Sequence, residues 1–476
     1  MSAQPSSRHS ELQIVLEPSH SELVRAFIRE ASLAEGVQHF AAGQIAEDAL
    51  ETWLALCAHG SGGARVHVAL LSSRKEVSAR ILLQGHHRFS NLLPTLSGRL
   101  RREAGLSYRE RGIDGWEISL HRSLHEEAEL AHFADETATG DAPPTTGPFR
   151  IEPPKESDTA AIARCFLEVY GHNYIHSEVF SPHRYWAKVE SGELVPMIAR
   201  NDRGEVVGHV ALEREPGACI AERGEAVVLP AYRGHHLLEL MTGRLSEEAP
   251  KIGLQGIFAE PVTVHIFSQR NDERAGMPVC AVLLGAAPEN MRPKGLAAPT
   301  AGQRQSLLLA FRFLQPPAPR VIHAPAPYRE AILKIYESLG VSATIAEPAA
   351  PMRAESRASV KADGRGYGEI HFQSIGENAA IELKQALNDV VGLGASAIRL
   401  SAPVGDPGLP ILTAAARKNG FFFSGLGPAF ADGADTLLLQ RLSEPLDTGK
   451  LQIFSDRAKE LVAFIDRDRA AVGQAG

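Results

Sequence analysis

Residues 228–238, with the sequence VLPAYRGHHLL, form a segment whose residue types and spacing could bind an anion. An apolar strand is predicted to end at Pro230, and a helix is predicted to start at about Gly234. The first N–H groups of a helix lack intrahelical acceptors, and the helix dipole favours negative charge beside them. Because Arg233 adds a positive charge at this point, the turn is predicted to bind a diphosphate.

Four side chains in the surrounding sequence could accept or donate a proton: Glu222, Glu260, His265 and Ser268. The imidazole of His265 has an ordinary pKa near neutrality, and burial could raise the pKa of Glu260 into that range. Each residue also has a purely structural interpretation. Glu222 would be a solvent-facing strand residue, and Glu260 would be a surface charge. His265 would be a hydrogen-bonded strand end, and Ser268 would be a helix N-cap.

The elements that position these residues alternate between strands and helices over residues 148–290. Before the turn, the pattern predicts a strand at 149–152, a helix at 158–170, a hairpin at 197–212 and a strand at 219–229. After the turn, it predicts a helix at 232–245, a strand at 257–265, a helix at 268–274 and a strand at 279–284. The turn therefore joins a strand to a helix within one α/β unit.

Residues 228–238 resemble the coenzyme A signature of the GNAT superfamily, V-x-P-x-[YF]-R-G-x-G-[IL]-[GA]. The resemblance implies an N-acyltransferase that moves the acyl group of acetyl-coenzyme A, or of another acyl-coenzyme A, to an amine of a small molecule or a protein. His236 stands where the family prefers glycine, and Leu238 stands where glycine or alanine is usual. The residues that the resemblance places on the cofactor are Val228, Leu229, Arg233, Gly234, His235, His236, Leu237 and Leu238.

The same resemblance gives roles to the proton-transferring candidates. In the family, the fourth and fifth strands splay apart and expose the thioester, which implies that Glu260, His265 and Ser268 lie near the reacting atoms. Glu222 falls on the fourth strand, where several members of the superfamily carry a catalytic carboxylate. A backbone N–H group on the strand that ends near Val228 would hold the oxyanion.

Residues 170–174, YGHNY, end the first helix of this unit. In position and in aromatic content they resemble the loop that covers the acceptor site in the family. Tyr170 and Tyr174 are therefore candidate substrate-binding residues. They could equally pack the loop down, because an amphipathic aromatic side chain suits both roles.

The length of 476 residues predicts two or three domains, because single cores stop growing at roughly 250–300 residues. Residues 125–147 are acidic and then rich in Pro, Thr and Gly, so they are predicted to be a linker. Residues 304–476 show a similar element order, with a helix at 409–419 that leads into a Gly-Phe turn. We interpret them as a second, degenerate GNAT-like domain without the coenzyme A motif, in which residues 346–364 form a long loop.

Residues 11–124 predict a strand, two helices, two strands, a helix at 92–103 and a last strand, an α+β sandwich. This order resembles the GHKL ATPase fold of anti-sigma factors and histidine kinases. Thr52, four residues after Asp48, stands where that family has a magnesium-binding Asn, and residues 84–87 lack the Asp and second Gly of its nucleotide turn. Magnesium requires oxygen ligands, so the resemblance implies a domain that has lost ATP.

The predicted fold class is therefore α+β to α/β: a GHKL-like α/β sandwich, then a GNAT fold, then a second degenerate GNAT-like domain. This combination resembles bacterial proteins that fuse anti-sigma-factor and acetyltransferase domains. The leading hypothesis is an acyl-coenzyme A-dependent N-acyltransferase. The alternative is a non-catalytic regulator that senses coenzyme A and binds a protein partner through its N-terminal domain in a partner-switching circuit.

Bulk features exclude several other classes. The net charge is −8 with no basic stripe, so nucleic acid is not the expected partner. No run of about 18 apolar residues and no secretory signal are visible, so a cytoplasmic protein is expected rather than a membrane protein. The four cysteines are widely spaced, so neither a disulfide framework nor a metal site is expected.

Overall fold

The computed structural model describes residues 10–35, 37, 39–58, 63–72, 76–83, 105–110, 116–123, 147–170, 174, 177–215, 217–289, 302–346, 353–362 and 366–473. The helix predicted at 92–103 lies outside these residues, as does the predicted linker up to residue 146. Within the described ranges, none of the helices is long and apolar enough to be a membrane span.

The N-terminal part is an antiparallel sheet covered by two helices. Its elements are β1 (Ser10–Val15), α1 (Ser21–Ala34), α2 (His39–Ala58), β2 (Arg65–Ser72), β3 (Glu76–Leu83), β4 (Gly105–Glu110) and β5 (Trp116–Ser123). The strand order is β1-β2-β3-β5-β4. Val24, Ile28 and Trp53 bury the apolar faces of the helices, and the Trp53 indole donates to the Glu17 carbonyl at 2.8 Å. The sequence pattern did not predict β4, whose position is fixed by pairing with β5 and with a strand of the C-terminal part.

The middle part forms a mixed sheet with helices on both faces. Its elements are β6 (Arg150–Glu152), α3 (Thr159–Tyr170), α4 (Pro182–Ser191), β7 (Leu194–Arg200), β8 (Val206–Glu213), β9 (Ile220–Val228), α5 (Leu237–Glu248), β10 (Gly256–Ala259), α6 (Phe267–Arg274), β11 (Val279–Ala287) and β12 (Gln305–Phe313). The strand order is β6-β7-β8-β9-β10-β12-β11. Only β9 and β10 run parallel. Because β12 lies between β10 and β11, this sheet continues beyond residue 290, where the sequence placed the end of the middle domain.

Two predicted element bounds in the middle part were wrong. The helix predicted from residue 232 begins at Leu237, because Pro230–Tyr232 forms a 3-10 turn and both Gly234 and His236 have positive φ. The strand predicted at 257–265 ends at Ala259, after which Val262 makes only an isolated bridge to Leu307. The helix α4 was not predicted.

The C-terminal part consists of a second mixed sheet, helices, and a separate two-stranded parallel sheet formed by its first two strands. Its elements are β13 (Arg320–Ile322), α7 (Arg329–Ser338), β14 (Ala343–Ile345), β15 (Arg357–Ala362), β16 (Tyr367–Ser374), α8 (Ala379–Gly392), β17 (Ala397–Pro403), α9 (Leu409–Lys418), β18 (Phe422–Ala431), β19 (Ala434–Leu442) and α10 (Asp456–Gly473). The order β15-β16-β17-β19-β18 has the same parallel and antiparallel pairings as β8-β9-β10-β12-β11. The prediction of one continuous loop at 346–364 was wrong, because the alternating run Ala358, Val360 and Ala362 is buried in β15.

Backbone pairing connects all three parts. The strand β4 pairs with β15, and β11 pairs with β18 through Ala281 and Gly425. A Cβ on Gly425 would lie 2.2 Å from the Cys280 carbonyl oxygen, so only glycine allows the two strands to approach at this point. The Gln440 side chain adds hydrogen bonds to the backbone N–H and C=O of Leu284, at 2.9 and 3.3 Å.

Candidate functional site

The strands β9 and β10 separate in the middle of the sheet. Their parallel pairing covers only three residue pairs and ends where Glu222 meets Phe258. From Arg223 to Val228, the edge of β9 that faces β10 has no strand partner among the described residues. We call the end of the pairing the fork and the space beyond it the cleft. The cleft lies where the resemblance implies that two strands splay, and the free edge of β9 can pair with amides of a ligand.

A β-bulge interrupts β9 inside the cleft. Glu225 is buried with φ of 48°, and the register with β8 shifts at this point. The His209 Nδ1–H donates to the Glu225 carbonyl at 2.7 Å, and the Tyr185 hydroxyl donates to His209 Nε2 at 2.7 Å. The Tyr170 hydroxyl donates to the Ala226 carbonyl at 3.3 Å. His209 and Tyr170 therefore hold the bulge by its carbonyl groups, and Tyr185 orients the His209 ring.

The two tyrosines chosen from the sequence lie together beside this bulge. The ring of Tyr174 is 4.9 Å from that of Tyr170 and 4.5 Å from that of Phe166. Burial raises the pKa of Tyr170, and the nearby Arg233 guanidinium opposes this rise. The pair therefore packs as an aromatic cluster, while the hydroxyl of Tyr170 reaches the wall of the cleft.

The predicted anion-binding turn lies at the open end of β9. Among the described residues, no hydrogen bond takes the N–H groups of Gly234, His235, His236, Leu237 or Leu238. A Cβ on Gly234 would meet nothing within 4 Å, so the space beside this residue is open. We call residues 234–238 the cradle. Its amides belong to a left-handed turn and the first helical residues, which is the arrangement that binds anions.

His236 occupies a position where the backbone conformation favours glycine. Its φ is 58°, a left-handed conformation that costs a side-chain-bearing residue about 1–2 kcal/mol. The exposed imidazole contacts the Glu239 carboxylate at 3.2 Å, and Arg274 approaches the same carboxylate at 3.5 Å. His235 packs beside Phe149 at 5.2 Å between ring centroids. Glu239 therefore places a negative charge in the helical turn that faces the cradle.

The remaining predicted cofactor residues differ in what they can offer. Val228 is the last residue of β9 and pairs with Gly208. The N–H of Leu229 donates to the Val207 carbonyl at 3.0 Å, so this amide is not available to a ligand. The side chain of Leu237 is buried in the core, and Leu238 is partly buried. Leu237 and Leu238 therefore offer the cradle their backbone groups rather than their side chains.

His265 and Ser268 lie on the opposite wall of the cleft. The helix α6 has Ile266 at its N-cap, so the interpretation of Ser268 as the N-cap was wrong. His265 Nδ1 and Ser268 Oγ are buried and have no hydrogen-bond partner among the described residues. Burial lowers the pKa of His265, a backbone hydrogen bond opposes this shift, and the positive charge of Arg233 adds to it.

Further along α6, Asp272 pairs with Arg223 of β9 in an ion pair that the sequence pattern did not identify. The two side chains are 2% and 6% exposed. Burial, aided by Arg312, lowers the pKa of Arg223 to about 10, so the guanidinium stays charged at neutral pH. Arg223 Nη1, Asp272 Oδ2 and Asn271 Nδ2 are buried and have no hydrogen-bond partner in the described part of the chain.

These side chains form a continuous feature. His265 immediately precedes the N-cap of α6, and Ser268, Asn271 and Asp272 lie on that helix; we call these four residues the polar track. The charge of Arg233 acts on His265 at one end of the track, and Asp272 binds Arg223 at the other end, at the fork. Buried polar atoms without partners are costly, so a row of them along one wall indicates a polar ligand in the cleft.

Glu222 faces away from the polar track. A cavity of about 510 Å³ lies on its side of the sheet, lined by Lys188, Glu193, Glu213, Arg214, Glu215, Gly217, Ala218, Cys219, Ile220, Glu222, Phe258, Ala429, Phe430 and Asp432. Glu222 lies directly opposite Glu213 across the β8–β9 pair, and a carboxylate oxygen of each lies within 3.5 Å of the place for a Cβ on Gly224. This cavity, which we call the acidic cavity, favours a cation.

The remaining predicted residues are Glu260 and those of the N-terminal part. Burial lowers the pKa of Arg399 of β17, but the charges of Glu369, Tyr367 and Glu260 outweigh this effect and raise it. In the N-terminal part, Arg122 binds Asp48 and the Thr52 hydroxyl donates to the Asp48 carbonyl at 2.8 Å. Residues 84–87 lie outside the described residues. Over the described ranges, no group of three or more His, Cys, Asp or Glu side chains is arranged to hold a metal ion.

A signal for the missed residues exists in the strand β9. Its alternate residues Ala221, Arg223, Glu225 and Val227 are buried, so two charges occupy inward positions of an otherwise apolar pattern. Charged side chains are seldom buried unless they are paired or functional. Reading the strand as IAERGEAVV with period two would have marked both charges as candidates.

Comparison with solved structures returns N-acetyltransferases. An N-acetyltransferase from Staphylococcus aureus Mu50 is 12% identical, covers 36% of this chain and 100% of its own, and has a TM-score of 0.30. The ribosomal-protein-S18-alanine N-acetyltransferase of Escherichia coli is 14% identical, covers 34% of this chain and 92% of its own, and has a TM-score of 0.28. A protein from Salmonella typhimurium named as an acetyltransferase, solved with acetyl-coenzyme A, is 19% identical, covers 36% and 97%, and has a TM-score of 0.30.

At these values, the similarities do not establish the fold or the activity of this chain. No family model matches the sequence, and no curated protein matches it. A functional assignment therefore rests on the cradle, the cleft and the polar track.

Proposed function

We propose that this chain is an N-acyltransferase that moves the acyl group of acetyl-coenzyme A, or of another acyl-coenzyme A, to an amine. The observation that carries the proposal is the continuity of the polar track between the cradle and the fork. An anion site, a free strand edge and a row of buried polar atoms follow one another along one cleft. A diphosphate followed by a chain with two amides and a thioester matches that sequence of groups.

In this arrangement, the diphosphate accepts hydrogen bonds from the N–H groups of the cradle, and Arg233 supplies a countercharge. The pantetheine arm lies between the free edge of β9 and the polar track. Its amides pair with the strand edge, as a peptide does when it adds to a sheet. Ser268 and Asn271 satisfy the remaining polar groups of the arm. Each of these contacts gives a partner to an atom that has none among the described residues.

The reaction is a direct attack of the amine nitrogen on the thioester carbonyl carbon. The amine loses one proton as the new C–N bond forms and gives a tetrahedral oxyanion. Collapse of this oxyanion breaks the C–S bond and releases the coenzyme A thiolate, which gains one proton. A backbone N–H group on the free edge of β9 near the bulge stabilises the oxyanion that forms between these steps. The bulge is held in place by His209 and Tyr170, so this donor is oriented before the substrate binds.

Two groups are suited to the proton transfers. Glu222 lies at the fork on the side of the acidic cavity, and its carboxylate accepts the proton of the amine. Ser268 lies on the side of the polar track and donates to the leaving sulfur. We expect His265, just before α6, to contact the cofactor; burial and the charge of Arg233 lower the pKa of its imidazole. In this scheme no proton transfer is assigned to Glu260, whose charge helps to raise the pKa of Arg399.

The acceptor is a small-molecule or protein amine that enters from the acidic cavity. An amine is mostly protonated at neutral pH, and carboxylates attract that cation and then accept its proton. The cavity is also lined by Phe258 and Phe430, whose ring centroids are 5.0 Å apart, so it offers apolar contact beside the charges.

The test is binding of acetyl-coenzyme A to the full chain, followed by thermal unfolding. The ligand is expected to raise Tm in proportion to the logarithm of its concentration. Gly234→Glu, which puts a carboxylate in the cradle, is expected to abolish the rise. Gly243→Glu is the matched control, because Gly243 is exposed on α5 and a Cβ there meets nothing within 4 Å. No rise in the wild type, or an equal rise in both variants, would contradict the proposal.

A second candidate function is a non-catalytic sensor of coenzyme A that acts through a protein partner of the N-terminal part. Glu239 and the imidazole of His236 favour it, because both stand beside the cradle and compete with a diphosphate. Release of free coenzyme A thiol, measured with a panel of primary amines, separates the two functions. Turnover that depends on Glu222 supports the transferase. Binding without turnover on any amine supports the sensor.

A further inference from the structure

The fork places opposite charges on the two faces of one strand. Successive strand residues point to opposite faces, so Arg223 faces α6 and Glu222 faces the acidic cavity. Arg223 is the first residue of β9 beyond the last pair with β10. Its guanidinium therefore lies at the closed end of the cleft, on the side of the polar track, where Asp272 binds it.

The Arg223–Asp272 pair keeps one donor and one acceptor for another group. Nη2 of Arg223 donates to Oδ1 of Asp272, while Nη1 and Oδ2 have no hydrogen-bond partner among the described residues. Both side chains are more than nine-tenths buried. Buried polar atoms without partners destabilise a folded protein, so the pair is poised for a ligand that satisfies both atoms at once.

The direction in which the cofactor lies along β9 determines which of its groups reaches this end of the cleft. This step rests on the proposed function. With the diphosphate at residues 234–238, the pantetheine arm runs along β9 from Val228 towards the fork. The acyl group is the last part of the molecule in that direction. It therefore meets Arg223 and Asp272 rather than the cradle.

We propose that the Arg223–Asp272 pair selects acyl-coenzyme A donors whose short acyl chain carries a hydroxyl group. The hydroxyl oxygen accepts a hydrogen bond from Nη1, and the hydroxyl hydrogen donates to Oδ2, so one group satisfies both atoms. An unsubstituted alkyl chain satisfies neither. A carboxylate accepts from Nη1, but it cannot donate and is repelled by the second oxygen of Asp272.

The experiment compares three thioesters with four-carbon acyl chains: butyryl-, 3-hydroxybutyryl- and succinyl-coenzyme A. Isothermal titration with the full chain, without an acceptor, gives Kd for each and for coenzyme A alone. We expect 3-hydroxybutyryl-coenzyme A to bind about tenfold more tightly than butyryl-coenzyme A. Succinyl-coenzyme A is expected to bind no more tightly than the butyryl thioester.

Variants test whether the Arg223–Asp272 pair causes the preference for the hydroxybutyryl thioester. The double variant Arg223→Met with Asp272→Leu removes both groups together and leaves no lone buried charge, and the ratio of the two Kd values is expected to fall to about one. Arg223→Lys, which keeps a charge beside Asp272 but lacks Nη1, tests the same ratio if the double variant does not fold. Arg244→Met, which removes an exposed guanidinium paired with Glu247, is the control and keeps the ratio.

The outcomes separate this inference from the function on which it rests. Equal Kd values for the butyryl and hydroxybutyryl thioesters, together with clear binding of coenzyme A, overturn the inference alone. Tighter binding of the succinyl thioester overturns it as well, because a carboxylate would then be the preferred group. Absence of binding by every thioester and by coenzyme A overturns both the inference and the proposed function.

Discussion

Asp48 and Arg122 form a buried ion pair that joins the helix α2 to the strand β5. Their side chains are 0% and 7% exposed, and the Nη2–H of Arg122 donates to Oδ1 of Asp48 at 2.7 Å. In the sequence, Asp48 stands in the run that resembles the magnesium-binding helix of the GHKL fold. In the structure, a guanidinium binds that carboxylate, and the adjacent Thr52 hydroxyl donates to the helix backbone. The pair is therefore a structural connection within the N-terminal part.

Arg122→Ala is expected to destabilise the protein strongly. Removing one member of a buried pair leaves the other charge without compensation, which costs about 3–5 kcal/mol. Urea unfolding followed by circular dichroism measures this change. Arg25→Ala is the control, because Arg25 pairs with exposed Glu22 and Glu47 at the surface, and it should change the unfolding midpoint little. Equal effects of the two substitutions would show that Asp48 does not depend on Arg122.

His236→Gly is expected to stabilise the helix start. Glycine adopts the φ of 58° without steric cost, and the gain after its greater unfolded-state entropy is about 0.5–1 kcal/mol. His236→Ala removes the imidazole but keeps the strained conformation, so it should not stabilise. Thermal unfolding of the two variants separates backbone strain from the contact with Glu239. If alanine stabilises as much as glycine, the imidazole rather than the backbone carries the cost.

Titration of the same pair of variants with coenzyme A tests whether His236 narrows the cradle. Both remove the ring beside the N–H groups, so both are expected to bind coenzyme A more tightly than the wild type. A weaker affinity in both variants would mean that the imidazole itself binds the ligand.

Asp389→Asn is expected to stabilise the protein at pH 8 more than at pH 4. Burial raises the pKa of Asp389 to about 7, well above the ordinary value for an aspartate. Between pH 4 and pH 7 the unfolded chain loses this proton while the folded chain keeps it, so the free energy of unfolding decreases as pH rises. The Asn amide does not titrate, so the variant does not lose this stability as pH rises. Tm measured at both pH values checks the difference, and Asp456→Asn on the exposed face of α10 should show none.

Gly425→Ala is expected to separate the middle and C-terminal sheets. A methyl group at this position would lie 2.2 Å from the Cys280 carbonyl oxygen and 2.4 Å from the Cα of Ala281. Relief requires movement of the backbone, so we expect a loss of about 2 kcal/mol or more in the free energy of unfolding. Gly392→Ala, in the helix α8 with open space around the new methyl group, should be neutral or stabilising. Equal behaviour of the two variants would contradict close approach of β11 and β18.

Periodicity in the sequence was sufficient for elements whose pattern is local. The helices α3 and α9 and the strand β9 lie close to their predicted bounds, because an apolar face repeats within each of them. The turn at Arg233 and Gly234 was recognisable for the same reason, since its residue types act locally. The start of α5 was not, because the φ of His236 depends on how the turn packs.

Local sequence patterns could not identify contacts between residues that are far apart in the sequence. Arg223 and Asp272 are 49 residues apart in sequence, and only the packing of α6 against β9 brings them together. The strands β4 and β15 were also not predicted from local patterns, because each is short and is stabilised by pairing with the other. The predicted role of Glu260 stays a prediction, because Glu260 follows the end of β10 at Ala259 and its place relative to the cleft depends on packing.

A crystal structure of the full chain with acetyl-coenzyme A would test the proposed cofactor site most directly. We expect diphosphate oxygens within hydrogen-bond distance of the N–H groups of residues 234–238, and the pantetheine arm between β9 and the polar track. We also expect the thioester carbonyl beside the bulge at Glu225. Density for the diphosphate at any other place, or a cradle closed by His236 and Glu239 with the ligand absent, would contradict the proposed site.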